Sequence, residues 1–215
     1  MKTFDLNGNT YLNRIEGSEN LYYALDIPHG DLYEAYELYQ LQKHTEGSLL
    51  YVIDAKTEEL FIPFERRANT YHSNPVFTDG KIDVLLVDFR QESADLYEVD
   101  PKTKSVTIRL HYALSDIVTT YNLMLHGRDL TLSSEKDGVL SVYYPVRKDI
   151  ALTPHESFFF REGRTLYLAD WWEDEEDDYK YYERTILRDL YSGEVIKVME
   201  GDIFLLPDGR KWHVK

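Results

Sequence analysis

The chain has 215 residues, 43% of them apolar, with no cysteine and a formal charge of −15. The missing thiols exclude disulfides and cysteine-ligated metal centres. The charge has the wrong sign for a phosphate backbone or an anionic membrane surface, so no nucleic acid and no membrane is expected as a partner.

Five glycines punctuate the chain in polar tight turns: Gly30 in HGDL, Gly80 in DGKI, Gly127 in HGRD, Gly163 in EGRT and Gly209 in DGRK. A glycine in such a hairpin adopts positive φ at no steric cost. A second series of turns alternates with the first: FDLNGNT at 4–10, VIDAKTEE at 52–59, EVDPKTKS at 98–105, YYPVRKDI at 143–150 and LRDLYSGE at 187–194. The flanking segments, such as KIDVLLVDF after Gly80 and RTLYLADWW after Gly163, are apolar, β-branched or aromatic and read as strands. One cycle of roughly 36–50 residues is the length of a four-stranded propeller blade.

This pattern predicts an all-β chain, one domain over 1–215, folded as a five-bladed β-propeller. The blades are expected at about 20–66, 75–112, 120–153 and 157–199. The fifth would be closed by outer strands from 1–17 and inner strands from 201–215, since Glu16-Gly17 and Glu200-Gly201 end similar segments. The alternative is an antiparallel β-sandwich or barrel, which also turns every 8–12 residues. Residues 31–43 suit either a strand or a helix, because Leu32, Tyr36 and Tyr39 fall at helical spacing.

The outer hairpins, above all LYEVDPKTKSVTI at 96–108, resemble the blade motif of quinoprotein and YVTN-type propellers. The resemblance covers one short hairpin per unit and implies a fold, from which no activity follows.

No nucleotide-binding, metalloprotease, hydrolase-elbow or EF-hand motif is present, and the seven histidines have no ligand spacing. His29 and His126 precede turn glycines and read as turn residues. The loops between blades, with those between second and third strands, are expected to gather on one face. There Tyr71, His72, Arg90, His155, Trp171 and Trp172 would form a ligand- or partner-binding surface. Glu19, Asp116, Glu156 and Asp202 precede expected inner strands, and if they converged they could hold a calcium ion. In WWEDEEDDYKYY at 171–182, six consecutive acids sit between tryptophans and tyrosines, a solvated hairpin tip or an arm for a basic partner.

The expected inner strands LYYALD, PVFT, YNLML, SFFF and IFLLP contain one acid, Asp26, which speaks for an apolar axis. The leading expectation is therefore a non-catalytic interaction or ligand-binding propeller whose partner is an unknown protein or small ligand. The alternative is a carbohydrate-active or metal-dependent hydrolase using loop carboxylates around the axis. With no apolar leader and no run of 18 apolar residues, a cytoplasmic location is expected.

Overall fold

The structure, a computed structural model, describes residues 1–28, 30–174, 180–206 and 209–215. His29, positions 175–178 of the acidic run and Asp208 of the last glycine turn lie outside the described residues. Strands make up 52% of the chain and helices 6%, and the strands form antiparallel sheets of which none closes into a barrel.

The first sheet runs β1 (Asn13–Arg14), β2 (Leu21–Asp26), β3 (Leu49–Asp54) and β4 (Glu59–Phe61), paired in that order. The second has β5 (Thr70–His72) and β6 (Val76–Thr78) both paired to β7 (Lys81–Asp88), followed by β8 (Ser93–Val99) and β9 (Val106–Ala113). The third is β10 (Met124–His126), β11 (Thr131–Lys136), β12 (Val139–Tyr144) and β13 (Lys148–Ala151). The fourth is β14 (Glu156–Glu162), β15 (Thr165–Asp174), β16 (Lys180–Asp189) and β17 (Val195–Glu200). The fifth is a two-stranded hairpin, β18 (Asp202–Leu205) with β19 (Lys211–Val214).

Sequence explains the punctuation. Thr78 pairs with Lys81 across a two-residue turn in which Asp79 and Gly80 have φ of 51° and 80°, the geometry that matches strand twist. The first strand of the second sheet breaks at Pro75, which has no N–H for the ladder. Ser73 bridges the break, its Oγ accepting the Leu85 N–H at 3.1 Å.

Side chains alternate along each strand, so every sheet has two faces to cover. Leu21, Tyr23, Leu50 and Val52 of the first sheet pack on Ile82, Val84 and Val99 of the second. Leu85, Val87 and Leu96 face Leu125, Leu132 and Tyr143 of the third. Leu140, Val142 and Ile150 then meet Leu166, Leu168 and Ile186 of the fourth. A fully buried side chain of this kind contributes about 1.5–3 kcal/mol, and face-to-face packing of this kind joins the first four sheets in chain order.

Residues 31–43 resolve as a helix, α1 (Leu32–Gln40), in place of a hairpin between β2 and β3. Asp31 caps it, accepting from Tyr33 and Glu34 N–H at 2.9 and 3.0 Å, while Glu34 Oε2 accepts the Asp31 N–H. Leu32, Ala35, Tyr36 and Tyr39 lie against the second sheet, with Tyr39 stacked on Phe89 at 5.4 Å.

Two expectations about the first unit are corrected. Its inner edge is β1, not LYYALD, so 17–20 is a turn within the sheet rather than a link between sheets. Residues 1–12 form no strand and do not complete the fifth sheet. Instead Phe4 and Leu6 cover Ala24, Tyr51 and Ile53, the face of the first sheet turned away from the second. Asn9 ties the segment down by donating to the Leu25 carbonyl at 2.6 Å. Among the described residues no helix is long and apolar enough to cross a membrane.

Candidate functional site

In an antiparallel meander the first and third turns leave from the same end. At that end the first turns of the sheets meet around a cavity of about 1170 Å³. Its wall is charged: Arg14, Glu16 and Glu19 come from the first sheet, Asp79, Lys102 and Arg109 from the second, Arg128 and Asp129 from the third. Phe77 and Tyr144 supply aromatic surface, and Leu205, Leu206 and Gly209 of the last hairpin close one side.

Glu16 is the junction. Gly17 follows it at φ 83°, where a Cβ would overlap the Phe77 carbonyl oxygen, so only glycine lets the first turn approach the second sheet. The Phe77 N–H then donates to the Glu16 carbonyl at 2.8 Å. The Glu16 side chain crosses to the third sheet, where Oε1 accepts the Gly127 N–H at 3.0 Å. A Cβ at Gly127 would lie 3.2 Å from Glu16 Cδ, so this glycine also serves the approach. Solvent reaches Glu16 through the cavity, yet the crowding turns desolvate its carboxyl and push its pKa up, opposed in part by the Gly127 N–H.

The surrounding charges divide into locked and open groups. Arg109 donates to the fully buried Asp83 at 2.7 Å, and Thr78 Oγ1 donates to the other Asp83 oxygen at 2.5 Å. Burial pushes the Asp83 carboxyl up, and these two donors oppose it. Arg128 Nε meets Glu162 at 2.7 Å. Arg161 binds Thr131 Oγ1 and the Leu130 carbonyl at 3.0 Å and the Gly163 carbonyl at 2.6 Å. Asp129 accepts the Gly163 N–H at 2.6 Å, which clips the third and fourth sheets together. Arg14, Lys56 and Lys102 have no ion pair among the described residues and stand exposed around the mouth with Glu19 and Asp79.

The structure scatters the residues expected to bind a ligand. Tyr71 and His72 are buried in β5, Tyr71 against Phe89 and His72 against Phe64 at 5.0 Å. Ser48 Oγ lies 2.8 Å from His72 Nδ1, and burial, helped by Arg67, lowers the His72 pKa to about 4. Arg90 is an exposed turn residue whose N–H donates to Asp88. His155 and Trp171 are neighbours at 6.1 Å, and Trp172 lies on the opposite face of the same hairpin, stacked on Tyr182 at 5.4 Å.

The four acids expected to ring an ion are not gathered either. Glu19 is at the turn end because of the strand shift in the first sheet. Glu156 is fully buried and gripped by Arg188 Nη2 at 2.7 Å. Asp116 ends a short 3-10 helix, and Asp202 accepts the Ile203 N–H at 2.6 Å. Among the described residues no group of three or more His, Asp or Glu is placed to hold a metal ion.

His126 is more than a turn residue. It is buried with Nδ1 3.1 Å from the Phe159 carbonyl and Nε2 3.1 Å from Ser133 Oγ. A carbonyl only accepts, so Nδ1 carries the proton and Nε2 accepts from the serine. Burial lowers its pKa to about 4.

The sequence reading did not single out Glu16, Arg109 and Arg128 because it looked for a binding face at the other end of the sheets. The usable signal was Glu16-Gly17, taken there as the end of an outer hairpin. The expectation of a non-catalytic interaction or ligand-binding propeller is accordingly corrected: it rested on an apolar axis, and the cavity wall carries carboxylate, guanidinium and ammonium groups beside its apolar ones.

No family model and no curated protein matches the chain. Among solved structures it is similar to dipeptidyl peptidase 4 of Porphyromonas gingivalis, at 15% identity and a TM-score of 0.44 over 92% of this chain and 32% of that one. It is also similar to oligopeptidase B of Trypanosoma brucei, in a closed form with covalently bound antipain, at 14% identity and a TM-score of 0.48, over 94% of this chain and 30% of that one. The chain thus spans about a third of the length of the solved structures it resembles, and both of those are peptidases.

Proposed function

We propose that the chain is a single five-bladed propeller with a two-stranded last blade, and that the turn-end cavity is a carbohydrate-active hydrolase site using loop carboxylates. The observation that carries this reading is Glu16: a carboxyl whose pKa desolvation pushes up, at a large polar cavity and fixed by backbone from three sheets. A carboxyl shifted in that direction suits the role of a general acid. Asp129 is the second carboxylate, on the turn that Glu16 itself binds and oriented by the Gly163 N–H and Arg161. In the reaction Glu16 donates its proton to the leaving oxygen as the glycosidic bond breaks. Asp129 takes a proton from the attacking water, whose oxygen bonds to the sugar carbon. Phe77 and Tyr144 offer the apolar surface on which a sugar ring packs, while Arg14 and Lys102 hold its polar or acidic substituents.

The test is a panel of nitrophenyl glycosides, neutral and uronic, with the wild-type chain and Glu16→Gln. Turnover by the wild type, with kcat reduced about 10²–10⁴-fold in the variant and KM little changed, supports the reading. No turnover on any substrate, or equal turnover by both proteins, overturns it.

A further inference from the structure

Opposite the cavity, β15 and β16 form the longest hairpin of the chain, ten residues in each strand. Its two faces differ. On one, Trp172 stacks on Tyr182, Arg184 lies over the indole at 4.9 Å and pairs with Asp170 at 2.5 Å, and Lys180 lies over the Tyr182 ring. Among the described residues both of these rings have a cation. On the other, Trp171 stacks on Tyr181 at 6.1 Å with an interplanar angle of 20°, and both stay about half exposed. There the His155 ring lies edge-on to Trp171 at 6.1 Å, and the carboxylates are Glu173 opposite Tyr181, Glu183 opposite Trp171, and Asp202 from the adjoining β18. None of the three has an ion pair among the described residues. Mutual repulsion adds to desolvation in raising the Glu183 pKa, the signature of uncompensated negative charge.

We propose that this Trp171–Tyr181 face is a docking site for a basic, arginine- or lysine-rich peptide segment of a partner protein. A guanidinium or ammonium group is attracted to the face of an indole or phenol ring, and a nearby carboxylate completes its charge. The opposite face of the same hairpin has already satisfied that chemistry with Arg184 and Lys180. The free face presents the rings and the carboxylates, and among the described residues no lysine or arginine lies over its rings. The complementary occupant is therefore cationic, and the partner supplies it.

The test is fluorescence anisotropy of a labelled arginine- and lysine-rich decapeptide titrated with the full chain, beside an acidic decapeptide of equal length. Saturable binding of the basic peptide, weakened by salt, is expected, with at least a tenfold loss in Trp171→Ala. Glu183→Gln with Asp202→Asn is expected to cost about three- to tenfold and keeps the test valid if the tryptophan variant fails to fold. Glu58→Gln with Glu65→Gln changes net charge by the same amount elsewhere and should leave binding within twofold. Absence of basic-peptide binding, equal binding of the acidic peptide, or equal losses in the two charge-matched pairs overturns the proposal. Glu16→Gln is expected to leave this binding unchanged, so the docking face and the hydrolytic cavity stand or fall separately.

Discussion

The two ends of the molecule hold the side chains of their candidate sites in different ways. At the turn end Glu16 is fixed by backbone groups of three sheets, its own and those carrying Phe77 and Gly127. At the opposite end Trp171 and Tyr181 are fixed by stacking within one hairpin. A position set by several sheets is over-determined: it cannot shift without moving a backbone, which suits a group that must meet a reacting atom. A position set by one hairpin can be stripped without disturbing the rest, which suits a surface that only has to be found by a partner.

This contrast is broken most directly at Gly17. Gly17→Ala forces a Cβ into the Phe77 carbonyl and a side chain into positive φ. The expected loss is at least about 3 kcal/mol in a urea titration, or failure to fold. Gly8→Ala is the control, at a similar φ of 81° but with no atom within 4 Å of the added Cβ, and should cost about 1 kcal/mol. Equal costs at the two glycines would mean that the approach of the first turn to the second sheet is not what fixes Glu16. Arg161→Leu comes next. It strands the Leu130 and Gly163 carbonyls at the clip between third and fourth sheets, and about 2–3 kcal/mol should be lost.

How far the sequence disclosed these two ends depends on what kind of information each needed. The turns at Gly80 and Gly163 and the helical spacing of Leu32, Tyr36 and Tyr39 are local facts, and local chemistry states them. Glu16-Gly17 and Glu200-Gly201 are the same dipeptide in different places. At Gly17 the neighbouring backbone is Phe77 of the next sheet; at Gly201, between the fourth and fifth sheets, it is Val214. Both glycines report that another backbone passes close by, but not from which direction. Aligning them shifted the first unit by one strand and sent Glu19 to the wrong end. Phe4 and Leu6 likewise alternate as an outer strand would. Alternation encodes a one-sided apolar face, and the first sheet, not the fifth, was there to be covered. The Arg109–Asp83 pair spans 26 residues and exists only because the strands are paired, so no spacing could reveal it.

A smaller, pH-gated effect separates the ends again. His126, beside the Gly127 that binds Glu16, has a folded-state pKa of about 4 against 6.5 when unfolded. Between those values the unfolded chain binds a proton that the native chain refuses, so this residue makes stability fall as pH drops from 6.5 towards 4. Glu16, whose carboxyl is pushed up, acts with the opposite sign, since the native state takes its proton first. His126→Gln should therefore flatten the fall in urea midpoint between pH 7 and 4.5, relative to the wild type. An unchanged slope would place the proton uptake elsewhere, His72 being the other buried histidine among the described residues.

The smallest effect is expected where the hairpin alone does the holding. Trp171→Ala removes an indole that is 45% exposed and stacked on a tyrosine that is 54% exposed, so little apolar area returns to water on unfolding. A cross-strand aromatic pair contributes about 0.5–1 kcal/mol, and the urea midpoint should move by no more than that. Trp172→Ala on the other face also strips Arg184 of its ring and leaves the nearly buried Asp170 with a looser partner, so it should cost more. The ordering is the informative quantity. If Trp171→Ala proved the costlier of the two, Trp171 would be a support of the hairpin, and its exposure would need no partner to account for it. If it proves nearly silent in stability, the ring is being kept on the surface for something other than folding.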